Sequence, residues 1–350
     1  PRVLLSWPRV LLSWPRVLLS CPRVVLSCPR VVTRWPRVLS RRLCAFEIRY
    51  MEFCMKSVRY RGEASTNKAG WLFVATATFL CALFCLYPIA SSFLLSFQSG
   101  RGNLLKFAGL GNIKRLLEDT VFHQALKNTF VYFIFQVPVM IVLALSIASV
   151  LNSPKMRFKG FFRTAIFLPC VTSLVAYSVL FRSMFSLNGL VNQTLLRFEL
   201  IAQPIPWLTD SFWAKVLIII ALTWRWTGYN MMFYLSALQN IDPCIYEAAR
   251  IDGAGPLSQF RRITIPMLKP IILFTSVMST IGTLQLFDES MNITLGGPSN
   301  ATLTISHYIY NVLFLFTPNF GYAATISYVI VFLVAILALI QFKLSGDDNA

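Results

Sequence analysis

Six long runs of apolar residues constrain the fold of this chain more than any other feature. A bilayer core about 30 Å thick requires about 20 helical residues at a rise of about 1.5 Å each. The runs cover residues 71–97, 129–151, 164–185, 213–238, 270–287 and 322–342. They lack the alternation of apolar and polar residues that is typical of barrel strands, so we expect α-helices. The sequence therefore predicts an all-α integral membrane protein with six transmembrane helices.

The N-terminal region consists of a seven-residue repeat that begins with a proline, from Pro1 to Pro29. A proline in every heptad removes one helical hydrogen bond per two turns, at about 3 kcal/mol each, which excludes a long helix or coiled coil. The prolines also interrupt the apolar core that a secretory signal needs. We expect residues 1–50 to be translated tandem-repeat DNA, with Met51 or Met55 as the true initiator. The alternative is a disordered basic tail that contacts anionic lipid.

The distribution of Lys and Arg predicts the orientation in the membrane. With both termini cytoplasmic, the inner segments hold 13 of these residues and the outer loops hold 6. Residues 51–70 then form a cytoplasmic tail, and residues 71–345 form the transmembrane domain with a cytoplasmic loop at 239–269. The formal charge of +18 does not indicate a nucleic-acid partner, because no basic helix or aromatic-basic platform accompanies it.

Sequence patterns for catalysis and for metal binding are missing from the chain. None of the eight cysteines forms a Cys-x-x-Cys pair, and Cys81 and Cys85 are expected to act as small apolar residues on the first span. His123 and His307 stand alone, so we expect no metal site. The chain also lacks a phosphate-binding Gly-x-x-x-x-Gly-Lys-Ser/Thr loop and a nucleophile elbow. We therefore expect no cofactor and no enzymatic activity of its own.

The loop at 239–269 has the local signals of two short helices separated by a break. Asp242 and Pro243 fit the N-cap and first position of a helix. Gly253 is placed to end that helix in the left-handed conformation. Pro256 is then expected to open a second helix that ends before Pro266. These patterns alone fit a surface hairpin that merely links two spans as well as they fit a functional loop.

A motif within this loop favours a functional loop over a hairpin that merely links two spans. Glu-Ala-Ala, three residues, Gly, nine residues and Ile-x-Ile-Pro resembles the signature loop of ATP-binding-cassette importer permeases, with Ile265 in the place of the usual Leu. The resemblance implies the type I importer permease fold and a loop that contacts the ATPase subunit. The residues to which it assigns this coupling role are Glu247, Ala248, Ala249, Asp252, Gly253, Ile263 and Pro266.

The same resemblance implies partners and a cellular location. They are a second homologous permease, two cytoplasmic ABC ATPases that bind the ATP, an extracytoplasmic solute-binding protein, and the cell membrane of a bacterial-type cell. The stretches at 107–112, 296–302 and 321–324 are similar to carbohydrate permeases of the maltose and lactose type. Residues 285–346 look most similar to lactose or arabinose permeases, which implies a sugar substrate. Glycerol 3-phosphate remains the alternative substrate.

A sugar path requires hydroxyl partners and aromatic faces at membrane depth. The candidates in the predicted fourth and fifth spans are Arg225, Trp226, Tyr229, Asn230 and Gln285. The alternative for each is packing between helices. A mid-span charge such as that of Arg225 must find a carboxylate, a carbonyl or water. Asp288 and Glu289 are expected at the outer end of a span, in water or in contact with substrate or binding protein.

Other functional classes fit the sequence less well. Only 13% of the residues are charged, compared with about 25% in soluble domains, which argues against a soluble enzyme. An ion-coupled secondary transporter should carry acidic residues within its spans, and none of the six runs contains one except at the margin near Asp288. A membrane-embedded enzyme should show clustered His, Cys or carboxylate groups at one depth, and no such cluster is present in the sequence.

Overall fold

A computed structural model of the protein describes most of the chain after residue 69. The described residues are 70–71, 73–101, 104–153 and 156–346. The predictions for the repeat at 1–50 and for the tail at 51–70 lie outside the described residues, apart from the last residue of the tail. The structure divides into two units between Phe84 and Cys85. The described part of the first unit belongs to the first helix, and all later elements belong to the second unit.

The described residues are mostly helical. The helices are α1 Phe73–Ser96, α2 Gly111–Glu118, α3 Thr120–Asn152, α4 Lys159–Val171, α5 Leu174–Met184, α6 Leu190–Arg197, α7 Ser211–Leu238, α8 Pro243–Ile251, α9 Pro256–Met267, α10 Lys269–Leu284, α11 Ile305–Leu315 and α12 Phe320–Gly346. A short antiparallel hairpin follows α1 and consists of β1 Gln98–Arg101 and β2 Leu104–Phe107. Turns of π-helix lie within α1, α9 and α11 and shortly after α10.

The predicted membrane spans are recovered to different degrees. Among the described helices, α1, α3 and α12 are each long and apolar enough to cross a bilayer. The bent pairs α4–α5 and α9–α10 raise that number to five if each pair counts as one span. Helix α7 covers the predicted run at 213–238, but polar residues from Thr223 to Asn230 interrupt its apolar pattern. The total of six spans therefore stays a prediction.

The sequence predicts one continuous helix for the third apolar run, 164–185, and this prediction is wrong. The run consists of α4 and α5, whose axes differ by 98°. Pro169 removes a helical N–H group in the last turn of α4, and Thr172 and Ser173 adopt extended conformations between the two helices. The fifth run also differs from the prediction, because α10 ends at Leu284 rather than at residue 287.

Helix α7 packs against two other helices. Ala144 and Ala148 of α3 are buried in the same apolar cluster as Tyr234 of α7, and small side chains of this kind allow helices to approach closely. Gly228 of α7 lies against α4, where a Cβ atom would be 2.0 Å from the carbonyl oxygen of Ile166. Only glycine fits at this contact, so the end of α4 is held directly on the backbone of α7.

Asp119 joins three helices near the start of α3. Its carboxylate caps α3 by accepting hydrogen bonds from the backbone N–H groups of Val121 and Phe122. It also accepts hydrogen bonds from the hydroxyls of Tyr308 in α11 and Tyr322 in α12. Burial raises the pKa of Asp119, but the hydrogen bonds from the two tyrosines and the backbone outweigh burial and lower this pKa below its ordinary value.

Candidate functional site

A cavity of about 340 Å³ lies between α3, α5, α7, α10 and the segment that follows α10. Its volume is in the range of small-molecule sites. Four of the five predicted path residues line it together, namely Trp226, Tyr229, Asn230 and Gln285. The fifth, Arg225, is not among the described residues that line the cavity. The structure thus brings most of the predicted residues to one place, and their contact with a substrate stays a prediction.

One wall of the cavity is a continuous row of aromatic rings. The ring centroids of Trp226 and Tyr229 are 5.8 Å apart, and those of Tyr229 and Phe233 are 5.0 Å apart. Phe274 of α10 extends the row, at 5.7 Å from Phe233. The three residues of α7 share one face because they are spaced three and four positions apart. Sequence reasoning missed Phe233 and Phe274, although the four-residue spacing from Tyr229 indicates Phe233.

Two side-chain amides supply hydrogen-bonding groups on the cavity wall. Asn230 donates to the backbone oxygen of Trp226 at 3.0 Å and to the sulfur of Met140 at 3.3 Å. Gln136 donates to the same sulfur at 3.3 Å and accepts a hydrogen bond from the hydroxyl of Thr283 at 3.2 Å. A thioether is a weak acceptor, so both amides have weakly held N–H groups. Gln136 was not predicted, although its position within the apolar run at 129–151 is a signal.

Arg225 satisfies the carbonyl groups at the break between α4 and α5. Its side chain is 5% exposed, and its guanidinium group donates to the carbonyl oxygens of Pro169 at 3.2 Å, Cys170 at 3.3 Å and Thr172 at 3.1 Å. A helix that ends leaves its last carbonyls without helical donors and carries partial negative charge there. The mid-span cation has therefore found carbonyls, one of the three kinds of partner expected for it.

The carboxyl group of Glu289 is buried beside the cavity, and the expectation that it sits in water is wrong. Glu289 is 3% exposed and accepts a hydrogen bond of 2.9 Å from the hydroxyl of Tyr177. The chain turns back after α10 in the π-helical turn Ser290–Thr294, which places Glu289 against α5. Burial raises the pKa of Glu289 above its ordinary value. Hydrogen bonds from its own backbone N–H and from Tyr177 act in the opposite direction but are the smaller effects. The guanidinium group of Arg225 lies 4.9 Å from the ring of Tyr177.

The loop at 239–269 forms the predicted pair of helices. Asp242 caps α8 by accepting a hydrogen bond of 2.9 Å from the N–H of Cys244, and Pro243 is the first helical residue. Gly253 ends α8 with a φ of +78°, and the N–H of Ala254 bonds to the carbonyl of Ala249 at 2.8 Å. This is a Schellman motif. The predicted caps and the left-handed glycine are confirmed.

The second helix of the loop differs from the prediction at its end. Helix α9 begins at Pro256 as expected, but it continues through Pro266 to Met267. A π-helical turn at Phe260–Thr264 directly precedes the last turn, and the N–H of Ile265 bonds to the carbonyl of Phe260. The wider turn accommodates the missing N–H of Pro266 without ending the helix.

The outer surface of the loop is apolar at its tip. No residue of α8 is buried, and Ile251 and Leu257 are 87% and 79% exposed on either side of Gly253. Sequence reasoning missed both, although large aliphatic residues in a loop predicted to lie outside the membrane are a signal. Among the predicted coupling residues, Ala249 and Ile263 are half-buried. The exposed ones are Glu247, Ala248, Asp252, Gly253 and Pro266.

The inner surface of the loop is attached to the helical core. Leu268 is buried, and Phe260 and Ile265 are partly buried, in the cluster that Leu145 of α3 and Leu235 of α7 form. The hydroxyl groups of Tyr246 and Thr264 are 3.0 Å apart and join α8 to α9. The loop is therefore held both within itself and against the helices that line the cavity.

Comparison with known proteins agrees with this architecture. Residues 128–344 match the family described as binding-protein-dependent transport system inner membrane component. The lactose transport system permease protein LacF of Rhizobium radiobacter is 64% identical over 275 residues, which are 78% of this chain and 92% of that protein. The arabinooligosaccharides transport system permease protein AraP of Bacillus subtilis (strain 168) is 34% identical over 286 residues, which are 81% of this chain and 90% of that protein.

A solved structure shares the fold. The crystal structure of a bacterial ABC transporter involved in the import of the acidic polysaccharide alginate contains a chain that matches with a TM-score of 0.70 at 22% identity. The match covers 81% of this chain and 98% of that chain. The predicted fold class, a helical importer permease, is confirmed.

Proposed function

The chain belongs to the family of binding-protein-dependent transport system inner membrane components, and we therefore propose that it is the permease subunit of an ATP-driven sugar importer. Members of this family lie in the inner membrane, as the sequence predicted. We propose lactose as the first candidate substrate because LacF, a lactose transport permease, is 64% identical. The cavity is the observation that carries the proposal.

The chemistry of the cavity suits a sugar. The rings of Trp226, Tyr229, Phe233 and Phe274 offer apolar faces to the C–H surface of a pyranose. A sugar hydroxyl is a stronger acceptor than the sulfur of Met140, so it replaces that sulfur as the partner of the amide groups. Aromatic faces and amide donors thus meet in one space near the middle of α7.

The proposed assembly contains the partners that the resemblance implies. We propose a second homologous permease, two cytoplasmic ABC ATPases that bind the ATP, and an external solute-binding protein. The family description names dependence on a binding protein, and a related alginate transporter was solved in complex with a substrate-bound periplasmic protein. We also propose the orientation with both termini cytoplasmic and residues 71–345 as the permease domain, which places the loop at 239–269 beside the ATPases.

The loop supplies the proposed link to ATP. The exposed tip with Ile251 and Leu257 offers an apolar surface for the ATPase, next to the motif residues Glu247 and Gly253. Leu268 passes movement of the loop to α3 and α7, because it is buried between them and α9. Closure of the ATPases on ATP then rocks the transmembrane helices between inward-open and outward-open states.

Uptake of radiolabelled lactose tests the function directly. We expect a strain that lacks this gene to lose lactose uptake and to regain it with the gene on a plasmid. Uptake should stop when cellular ATP is depleted and should persist when an ionophore removes the ion gradients while ATP is kept constant. Uptake that follows the ion gradient instead of ATP would show an ion-coupled secondary transporter and contradict the proposal.

Replacing Trp226 with alanine tests the aromatic wall. We expect the uptake of lactose at low concentration to fall at least about tenfold, because the ring loses its contact with the sugar. Phe212→Ala is the matched control, since Phe212 is an exposed aromatic residue on the same helix and is not among the residues that line the cavity. Uptake rates are normalised to the amount of protein in the membrane. Equal losses in both variants would refute a role of the cavity in transport.

Replacing Ile251 and Leu257 together with aspartate tests the coupling loop. We expect the amount of ATPase that copurifies with the tagged permease to fall at least about tenfold, since two charges replace the apolar contact. The second permease should still copurify, because the loop tip is not packed on the helical core. Leu190→Asp, which changes an exposed leucine of α6, serves as the control. An unchanged ATPase yield in the double variant would exclude the tip as the docking surface.

A further inference from the structure

The charged residues on the cavity wall are all of one sign. Asp288 and Glu289 line the cavity, and no Lys, Arg or His is found among the described residues that line it. Arg225 is the nearby cation, but it is not among the residues that line the cavity, and its two terminal nitrogens donate to the carbonyls of residues 169, 170 and 172. The structure therefore provides acceptors for hydroxyl groups at this end of the cavity and no positive partner for an anion.

The position of Glu289 is fixed by neighbouring residues. The hydroxyl of Tyr177 donates to one carboxyl oxygen at 2.9 Å. Tyr177 is held in turn by Arg225 on its ring face and by Trp224, whose ring centroid lies 6.2 Å away. A buried carboxyl group held in this way is a defined hydrogen-bonding partner rather than a mobile surface charge.

The energetics of an anion in this cavity are unfavourable. An ionised group that leaves water needs a cation or several donors to offset the loss of hydration. In this cavity it would instead approach the carboxylate of Asp288, whose like charge repels it, and the buried carboxyl group of Glu289, which offers it no cation. An uncharged sugar has no such cost, and its hydroxyls donate to the same carboxyl oxygens.

We propose that the cavity selects uncharged, hydroxyl-rich solutes over acidic sugars and sugar phosphates, with Asp288 and Glu289 as specificity-determining residues. This inference rests on the proposed function, because it takes the cavity as the sugar site. The alginate transporter imports an acidic polysaccharide with the same fold, so the fold itself does not impose the selection. On this proposal the side chains of the cavity impose it, and glycerol 3-phosphate, the alternative substrate, is expected not to be transported.

Binding of lactose and lactobionate to the assembled transporter tests the proposal. Lactobionate is lactose with its reducing end oxidised to a carboxylate and the glucose ring opened. Lactitol, which is open at the same ring but uncharged, is therefore measured as the control and should bind more tightly than lactobionate. The permease pair with its ATPases is placed in lipid nanodiscs without the binding protein, so that only the membrane site selects. Isothermal titration calorimetry measures each affinity. We expect lactose to bind at least about tenfold more tightly than lactobionate.

Two designed variants should change this ratio in the predicted direction. Gln285→Arg places a cation on the cavity wall, and the Asp288→Asn and Glu289→Gln pair removes both acids. We expect each to shift the ratio about tenfold toward lactobionate. Asn188→Arg adds the same cation at an exposed loop position outside the cavity. This variant should have the same affinity ratio as the unaltered protein.

The outcomes separate this inference from the proposed function. Equal affinities of the unaltered protein for the two sugars would overturn the selectivity and leave the sugar site in place. A ratio that Asn188→Arg changes as much as Gln285→Arg would also overturn it, since a general field would then act. If neither sugar binds the unaltered protein while lactose uptake by cells is intact, the cavity is not the sugar site, so the selectivity inference fails while the proposed importer function stands.

Discussion

Replacing Arg225 with methionine should destabilise the transporter more than any other single side-chain change proposed for this chain. Methionine fills a similar volume but donates no hydrogen bond, so the carbonyls of Pro169, Cys170 and Thr172 lose their shared donor. Leaving a buried polar group unsatisfied costs about 1–3 kcal/mol. The carbonyls of Cys170 and Thr172 are affected in this way, while that of Pro169 keeps the hydroxyl of Thr172 as a donor at 2.8 Å. We expect a lower melting temperature of the detergent-solubilised protein and a reduced yield from the membrane.

Two further variants make the Arg225 result specific. Arg225→Lys keeps the charge but has fewer donors in a different geometry, so its melting temperature should lie between those of Arg225→Met and the unaltered protein. Arg182→Met removes an exposed arginine from the neighbouring helix α5 and should change the melting temperature little. If Arg225→Met and Arg182→Met have the same melting temperature, the carbonyls at the break do not depend on the guanidinium group of Arg225.

The break between α4 and α5, which Arg225 supports, is a feature that hydropathy alone does not predict. An apolar run such as 164–185 indicates residues that prefer the membrane, but hydropathy contains no information on the direction of the chain. Pro169 was visible in the sequence, yet prolines are tolerated within continuous transmembrane helices. The mid-span arginine was the better signal, since a cation there needs a carboxylate, a carbonyl or water, and an unbroken helix leaves no carbonyl free.

Local signals were reliable where the structure is itself local. The ends of α8 follow from Asp242, Pro243 and Gly253 because caps and left-handed glycines depend on neighbours in sequence. The prediction that α9 ends before Pro266 was wrong, because no comparable short sequence pattern indicates the π-helical turn that accommodates this proline. Turn chemistry was therefore predicted correctly and helix continuation was not.

The burial of Glu289 shows a second limit of the sequence. Its hydrogen-bonding partner, Tyr177, is 112 positions away along the chain. A position directly after a predicted span fits water and a buried site equally well until the packing of α5 is known. By contrast, Trp226, Tyr229 and Asn230 were found together because they share one face of one helix. The cavity could thus be predicted along α7, while its other walls required the fold.

Replacing Gly228 with alanine should separate α4 from α7. The added Cβ would lie 2.0 Å from the carbonyl oxygen of Ile166, and that oxygen belongs to the backbone, so no side chain can move aside. Overpacking of this kind costs about 1–3 kcal/mol or more when the backbone must shift. We expect a lower melting temperature and loss of lactose uptake, because α4 ends at the break held by Arg225, one turn away on α7.

The comparison with Gly160→Ala decides whether the steric contact or the glycine itself matters. Gly160 lies on α4, and a Cβ atom added there would have no neighbour within 4 Å, so alanine should be neutral or should stabilise the helix by up to about 1 kcal/mol. Alanine has the higher helix propensity at both positions, so propensity alone predicts stabilisation in both variants. A loss confined to Gly228→Ala therefore measures the contact with Ile166. Stabilisation in both variants would mean that α4 and α7 move apart freely, and that the break needs only Arg225 to hold it.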